Sequence, residues 1–292
     1  MSAASSPTTN ESPSPETWAL HGQVTNVTQW HRSFRSPYSG QNSLRADGRT
    51  EETTDVTVYG GVRLWKGAEL WLNPELDQGF GLDNTVGVAG FPNGEAYKIG
   101  ANTPYLRLPR AFIRQTIDLG GASGPVLPSA NQLAGSRLSN NLTITIGKFG
   151  ATDIFDTNSY AHDPRADLLN WSIIDAGAFD YAADSWGFTY GAAAEWSHDS
   201  WTARGGVFQL SKIPNGKVTG VHSSQFMLVA EFERRYEWHG AAGKVKLLGF
   251  LNRGRMAKYS DATALGLVQG STPDVVPVRR CSSGTWASGT DV

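Results

Sequence analysis

The chain has 292 residues, and its 25 Lys+Arg against 27 Asp+Glu leave a net charge of −2 with no basic or acidic block, which sets nucleic acid aside as the main partner. Charged residues make up 18% of the chain against a usual figure of about 25%, Gly reaches 33 and Trp 10, and mean hydropathy is −0.33, a composition that excludes a hydrophobic helical bundle. The lone cysteine, Cys281, excludes an intramolecular disulfide, a Cys-based zinc site and a CxxC pair, and apolar runs such as 226–230 fall far short of the ~20 residues of a membrane-crossing helix.

Residues 1–17, MSAASSPTTNESPSPET, are rich in Ser, Thr and Pro without an apolar segment, so they read as a flexible leader and not as a secretory signal. From Trp18 onward apolar and polar residues alternate with period two, the mark of strands with one apolar and one polar face. The first spans 18–30, with Trp18, Leu20, Val24 and Trp30 against His21, Gln23, Thr25 and Gln29. The second spans 54–65, and after a Lys66-Gly67 turn a third sets Ala68, Leu70, Leu72 and Leu76 against Glu69, Asn73, Glu75 and Asp77. Six more follow at 107–119, 141–149, 186–196, 200–211, 225–238 and 242–253, which makes nine. The links 66–67, 197–199 and 239–240 fit tight hairpins, whereas 78–106 and 150–185 are long, the second with a short helix expected around 165–174.

Alternation alone does not say which face is wet, since a soluble β-sandwich and a barrel in lipid alternate alike. Three features favour the barrel. Strands of 10–14 residues match the ~9–11 of a tilted membrane strand and exceed the usual mode of about 5–6. Aromatics sit at strand ends, at Trp18, Trp30, Trp65, Trp186, Trp196, Trp201, Tyr236 and Trp238, where interfacial girdles place them. Full charges stand in file on polar faces, as in Glu231, Glu233, Arg235 and Glu237, and a water-filled lumen tolerates them. The fold class expected from these features is all-β, a transmembrane antiparallel β-barrel of which about nine strands are visible.

Five runs carry a resemblance to a known family: LWLNPELDQGFGL (70–82), GVAGFPNGEAYKIG (87–100), YLRLPRAFIRQTIDLGG (105–121), GKFGATDIFDTNSYAHDPRADLLNW (147–171) and AFDYAADSWGFTYGAAAEW (178–196). The chain resembles the carbohydrate-selective outer-membrane porins of the OprB type over about residues 18–278. The resemblance implies a closed barrel of about 16 strands with a narrow aqueous channel for sugars, in the outer membrane of a Gram-negative bacterium. It implies small-molecule sugars and outer-membrane lipid as partners, no cofactor, no metal and no catalysis, and leaves a homo-oligomer open. The family's signal peptide and closing C-terminal aromatic strand are not evident, and the tail 279–292, RRCSSGTWASGTDV, loses the alternation. The sequence therefore reads as a leader over 1–17, a partial barrel over 18–278 and an aberrant tail over 279–292, the N-terminal two-thirds of such a porin.

Sugar hydroxyls call for planar donors and acceptors, and sugar C–H faces for aromatic rings. Parity puts Arg63, Glu69, Asn73, Glu75, Asp77, Arg110, Arg114 and Asp118 on the channel side, where the alternative is mutually neutralising charge. The long segment 150–185 adds Asp156, His162, Asp163, Arg165 and Trp171, and in porin-like barrels such a loop folds into the lumen as a constriction. Trp71, Trp171 and Phe112 are the aromatics best placed to touch a sugar. The competing function is a soluble β-sandwich lectin or a glycosidase using two loop aspartates as acid and base. A Ca²⁺ site lacks EF-hand spacing, a zinc site lacks histidines, and the Gly-rich run 79–100 lacks any phosphate-loop motif.

Overall fold

A computed structural model describes residues 14–40, 43–85, 93–95, 100–158, 160–213, 216–255, 257–274, 277–278 and 286–291. Most of the expected leader, parts of the Gly-rich run 79–100, and Cys281 lie outside the described residues. Ten strands form one antiparallel sheet in sequence order: β1 (Trp18–His31), β2 (Arg49–Trp65), β3 (Ala68–Gly79), β4 (Ala101–Val126), β5 (Gly135–Phe149), β6 (Thr189–His198), β7 (Trp201–Gln209), β8 (Phe226–Trp238), β9 (Ala241–Arg253) and β10 (Trp286–Asp291). The expected nine are all present, and β10 pairs with β9 within the segment where alternation fades. β1 and β10 each have a single neighbour, so the sheet is not closed. The described strands share one sheet, so they do not form the two packed layers of a sandwich.

Short links join β2 to β3, β6 to β7 and β8 to β9, all at one end of the sheet. In the last of these, His239 (φ 51) and Gly240 (φ 77) are both left-handed, the backbone of a type I′ hairpin whose twist matches its strands. At the β2–β3 turn Gly67 has φ 76, and a Cβ there would run into the Thr116 carbonyl oxygen. At the other end the long connections number five, where the sequence suggested two: 32–48, 80–100, 150–188, 210–225 and 254–285. They include α1 (Leu82–Thr85) and α2 (Tyr259–Gln269), the latter closed by Gly270 in the left-handed region at φ 61. The helix expected around 165–174 shrinks to a 3-10 turn, Trp171–Ile173, whose N-cap Asn170 accepts the Ser172 N–H at 3.0 Å. Asn and Asp favour such local caps over continued helix.

Residues opposite one another in an antiparallel pair share a face. The register joins Asp55 to Asp77 and Tyr105, Thr57 to Glu75 and Arg107, Trp71 to Phe112, and Glu69 to Arg114 and Thr145. It continues through Glu195, Arg204 and Glu231, and through Glu233 to Lys246. That is the inner face. The outer face carries Val24 (71% exposed), Leu72, Leu106 (73%), Ile113, Ile117, Leu228 and Leu247, with Trp18, Trp30, Trp65 and Trp238 exposed at strand ends. A mainly apolar exposed face flanked by aromatics suits lipid and would aggregate in water. Trp186 is not part of this girdle. It precedes β6, and its indole N–H donates to the Tyr105 hydroxyl at 3.3 Å on the inner side.

The inner face is not uniformly polar. Phe112, Phe149 and Phe208 run across it edge to face, with centroids 6.1 and 5.3 Å apart, and Phe155 of the 150–188 segment packs on Phe208 at 6.0 Å. Gly206 of β7 gives these rings room, because a Cβ there would press into both Phe208 and Phe155. Phe179, from the same segment, meets Phe250 at 5.4 Å. Each buried ring contributes about 1.5–3 kcal/mol, so the segment is docked by apolar burial before any ion pair is counted.

Candidate functional site

Segment 150–188 crosses the inner face from β1 to β9. At one end Arg165 acts as a clamp: Nε donates to Glu95 Oε2 at 2.7 Å, Nη2 to Asp55 Oδ1 at 3.0 Å, and Nη1 to Tyr59 Oη at 3.3 Å and Gln23 Oε1 at 3.4 Å. Arg107 joins the same cluster and donates to both Asp77 and Glu75, and Thr57 Oγ1 donates to Glu75 Oε2 at 2.8 Å. At the other end the Asp156 N–H donates to Glu231 Oε2 at 2.7 Å, Lys246 Nζ to the Thr157 carbonyl at 2.6 Å, and Asn252 Nδ2 to the Asp180 carbonyl at 2.7 Å. In the middle Arg110 grips Asp153 through Nη2 at 2.6 Å and Nε at 2.8 Å.

Beneath the segment lies a cavity of about 520 Å³, closed on its far side by the 127–134 connection between β4 and β5. Its charged lining is Arg110, Arg114, Arg137, Asp153, Glu195 and His162. Thr143, Thr145, Asn131 and Gln132 add neutral polar groups, and Phe112, Phe149 and Ile154 add apolar surface. Thr145 Oγ1 and Asn131 Oδ1 are buried and have no hydrogen-bond partner among the described residues. Donors, acceptors and an aromatic ring around a space of this size suit a small polyol.

Protonation in the segment follows its packing. Burial works to raise the Asp153 carboxyl, but the Arg110 guanidinium and the Gly150 N–H hold it below the ordinary value. His162 Nδ1 lies 2.6 Å from Asp175 Oδ1, and that hydrogen bond lifts the imidazole above its usual value against the pull of burial. Burial also raises Asp175, outweighing the histidine. Glu95 is pushed up to about 7 by burial, with Arg165 opposing.

The profile of the OprB family of carbohydrate-selective porins matches residues 41–288. The chain belongs to that family. No curated protein sequence matches it. Among solved structures, the high-pH structure of Pseudomonas putida OprB is similar in fold, with a TM-score of 0.58 at 14% identity over 88% of this chain and 57% of that one. The chain thus spans a little over half the length of that porin. The sheet described here has the fold of a porin wall, with its apolar face outward.

Within this porin wall the thirteen residues picked from the sequence divide into groups. Arg110, Arg114 and His162 line the cavity. Glu75, Asp77 and Arg165 belong to the clamp at the β2–β4 end, with Arg107, Asp55 and Glu95, which the sequence reading missed. Arg63 and Glu69 sit below the cavity, where Arg63 Nε donates to the Glu16 carbonyl at 3.0 Å and Glu69 accepts the Trp71 indole N–H at 3.0 Å. Asn73 is fully buried opposite Arg110, and neither amide atom has a partner among the described residues. Asp156 braces the segment by accepting the Ala176 N–H at 2.5 Å, and Asp163 caps a turn by accepting the Arg165 N–H at 2.9 Å. Asp118 is exposed and Trp171 sits in the 3-10 turn, and neither lines the cavity. Trp71 is fully buried, so of the three aromatics picked for sugar contact Phe112 alone reaches the cavity.

Arg107 was hidden by a bulge. Between the pairs Asn73–Arg110 and Glu75–Arg107 the strand β4 advances three residues while β3 advances two, so Pro109 is the extra residue and parity flips there. A proline inside a strand was the signal, since it has no N–H to give the ladder. Arg137 lay outside every predicted strand because β4 and β5 run on together to Val126 and Gly135.

Proposed function

We propose that this chain forms the sugar-selective part of a porin channel that passes sugars by diffusion across the outer membrane of a Gram-negative bacterium, with no covalent chemistry. The observation that carries the reading is the 150–188 segment strapped across the inner face, leaving a polar cavity of about 520 Å³ beside Phe112. A channel must bind weakly and specifically, and hydroxyl-matched groups in a confined passage do that without a closed pocket. Outer-membrane lipid is the partner of the apolar outer face.

The glycosidase alternative finds less support. The two carboxylates lining the cavity, Asp153 and Glu195, are each held by an arginine, Arg110 and Arg204 respectively. A carboxylate whose oxygens are committed to a guanidinium in this way makes a poor general acid. The remaining aspartates of the segment serve backbone amides, His162 and the Asn252 side chain. Liposome swelling tests the channel directly: proteoliposomes of a closed porin barrel that includes this wall should swell in isotonic glucose, and Arg114→Ala in that barrel should slow uptake while leaving the protein folded. Absence of swelling with every mono- and disaccharide tried would remove the channel reading.

A further inference from the structure

Positive charge is left over in the cavity once each carboxylate is assigned to its guanidinium. Asp153 is chelated by Arg110, and Glu195 accepts from Arg204 Nε at 3.0 Å. Arg114 and Arg137 remain. Arg114 donates to the Asn131 carbonyl at 2.8 Å, and its nearest carboxylate, Glu69, is 3.9 Å away and shared with Arg63 at 3.8 Å. Arg137 donates to Gln132 Oε1 at 3.5 Å and has no ion pair among the described residues. The neighbouring Glu16 accepts the Ala134 N–H at 2.7 Å. Two guanidinium groups thus share one carboxylate and a third has none among the described residues, in a region partly shielded from water where such an imbalance costs more than it would in the open.

The same wall carries the two unsatisfied polar atoms, Thr145 Oγ1 and Asn131 Oδ1, and both residues line the cavity with Arg114 and Arg137. Buried groups without partners cost free energy until a ligand supplies them. A guanidinium matches a carboxylate in a planar, two-pronged contact, and a hydroxyl matches Thr and Asn oxygens. A neutral sugar would answer the second pair and leave the excess charge. A small carboxylic acid would answer the charge and leave the hydroxyl and amide oxygens. Both demands together describe one class of molecule.

We propose that the preferred occupant of this cavity is an acidic monosaccharide, an aldonic or uronic acid, with its carboxylate at Arg114 and Arg137 and its hydroxyls at Thr145 and Asn131. The proposal rests on the sugar-channel reading above and names its substrate class. The carboxyl cluster around Arg165 and Arg107 sharpens it: four carboxyl groups, Asp55, Glu75, Asp77 and Glu95, meet two guanidinium groups there, so acidic groups outnumber basic ones at one end of the inner face and the reverse holds in the cavity. An anionic sugar finds no spare guanidinium at the first and is drawn to the second.

Calorimetric titration of the 292-residue chain in detergent micelles with D-gluconate, D-glucose and acetate tests this. Gluconate should bind at least about tenfold more tightly than glucose or acetate at low salt, with the advantage shrinking as ionic strength rises. Arg137→Gln should bring the gluconate-to-glucose ratio toward one, and Arg137→Lys, which keeps the charge, should retain part of it. Glucose bound as tightly as gluconate overturns the inference and leaves the sugar-channel reading in place. Acetate bound as tightly as gluconate also overturns it, as a plain anion site. Binding of none of the three overturns both. The ratio in the unmutated chain decides, so misfolding of a variant does not shelter the proposal.

Discussion

Two clusters of arginine on one sheet face do different things. Around Arg165 and Arg107 each guanidinium touches at least two carboxylates and the groups are mostly buried, whereas Arg114 and Arg137 point at carbonyl and amide oxygens in a cavity. The first arrangement is closed, since its donors are consumed by the protein and its product is the position of a loop. The second is open, since its hydrogen-bonding capacity is aimed at space. Charge on a channel wall is therefore no guide to ligand contact by itself. What separates the two is where the counter-charge comes from.

The largest effect should follow from breaking the closed cluster. Arg165→Met leaves Asp55 and Glu95 buried without their cation, at a cost of about 3–5 kcal/mol, and should expose residues 156–175 to limited proteolysis. Arg137→Gln, in the open cluster, should shift the unfolding midpoint by no more than about 0.5 kcal/mol, since one 3.5 Å contact is all it gives up. Equal destabilisation by the two would erase the distinction.

Charge on the opposite face provides the contrast. Leu72→Arg places a guanidinium on the outer face, where lipid offers no counter-charge, and should cost about 2–4 kcal/mol in folding titrations with bilayers. Unaltered folding into bilayers would count against a lipid-facing Leu72.

A smaller effect is expected from pH. Glu95 (about 7, ordinarily 4.5), Asp175 (ordinarily 3.8) and His162 (ordinarily 6.5) all have folded values above their unfolded ones. Each holds more protons in the docked state, so the stabilisation is complete below the unfolded value and is lost as pH rises through the folded one. Hydrogen exchange of residues 160–176 should therefore quicken between about pH 5 and 8, beyond the intrinsic rate, and Glu95→Gln should remove the lower part of that rise. Protection that grows with pH would contradict the sign. The smallest change is expected at Asp118, where Ala should alter neither stability beyond about 0.5 kcal/mol nor sugar affinity, because its carboxylate is exposed and makes one 3.4 Å contact.

The strands were legible because period-two alternation reports burial directly, and Leu70, Leu72 and Leu76 against Glu69, Asn73, Glu75 and Asp77 divided as the register later did. The long connections were less so. Loops 32–48 and 210–225 carry no periodic signal, and their ends are set by how far β1 and β2, and β7 and β8, stay paired. The cavity was legible only in fragments. Arg110, Arg114 and His162 stood out by type and parity, but Thr145 and Asn131 are ordinary residues whose importance comes from lacking a partner, which no spacing reveals. Trp71 was misjudged because parity gives a face and not a depth: it points inward and lies under other side chains.

Pro109 divides β4 into two stretches of opposite phase, and that makes the strand a rotary stop. Straightening the strand here with every residue kept would turn Tyr105 and Arg107 toward hydrocarbon and Leu106 and Leu108 toward the inner side, while everything from Arg110 onward kept its orientation; deleting Pro109 would instead leave both faces as they are. In the straightened strand the acidic end would lose one of its two cations and the hydroxyl that steadies Trp186, with no change in composition at all. The extra residue thus stores in the backbone a decision about which β4 side chains reach the acidic end, and it does so through strand phase and not through any charged residue.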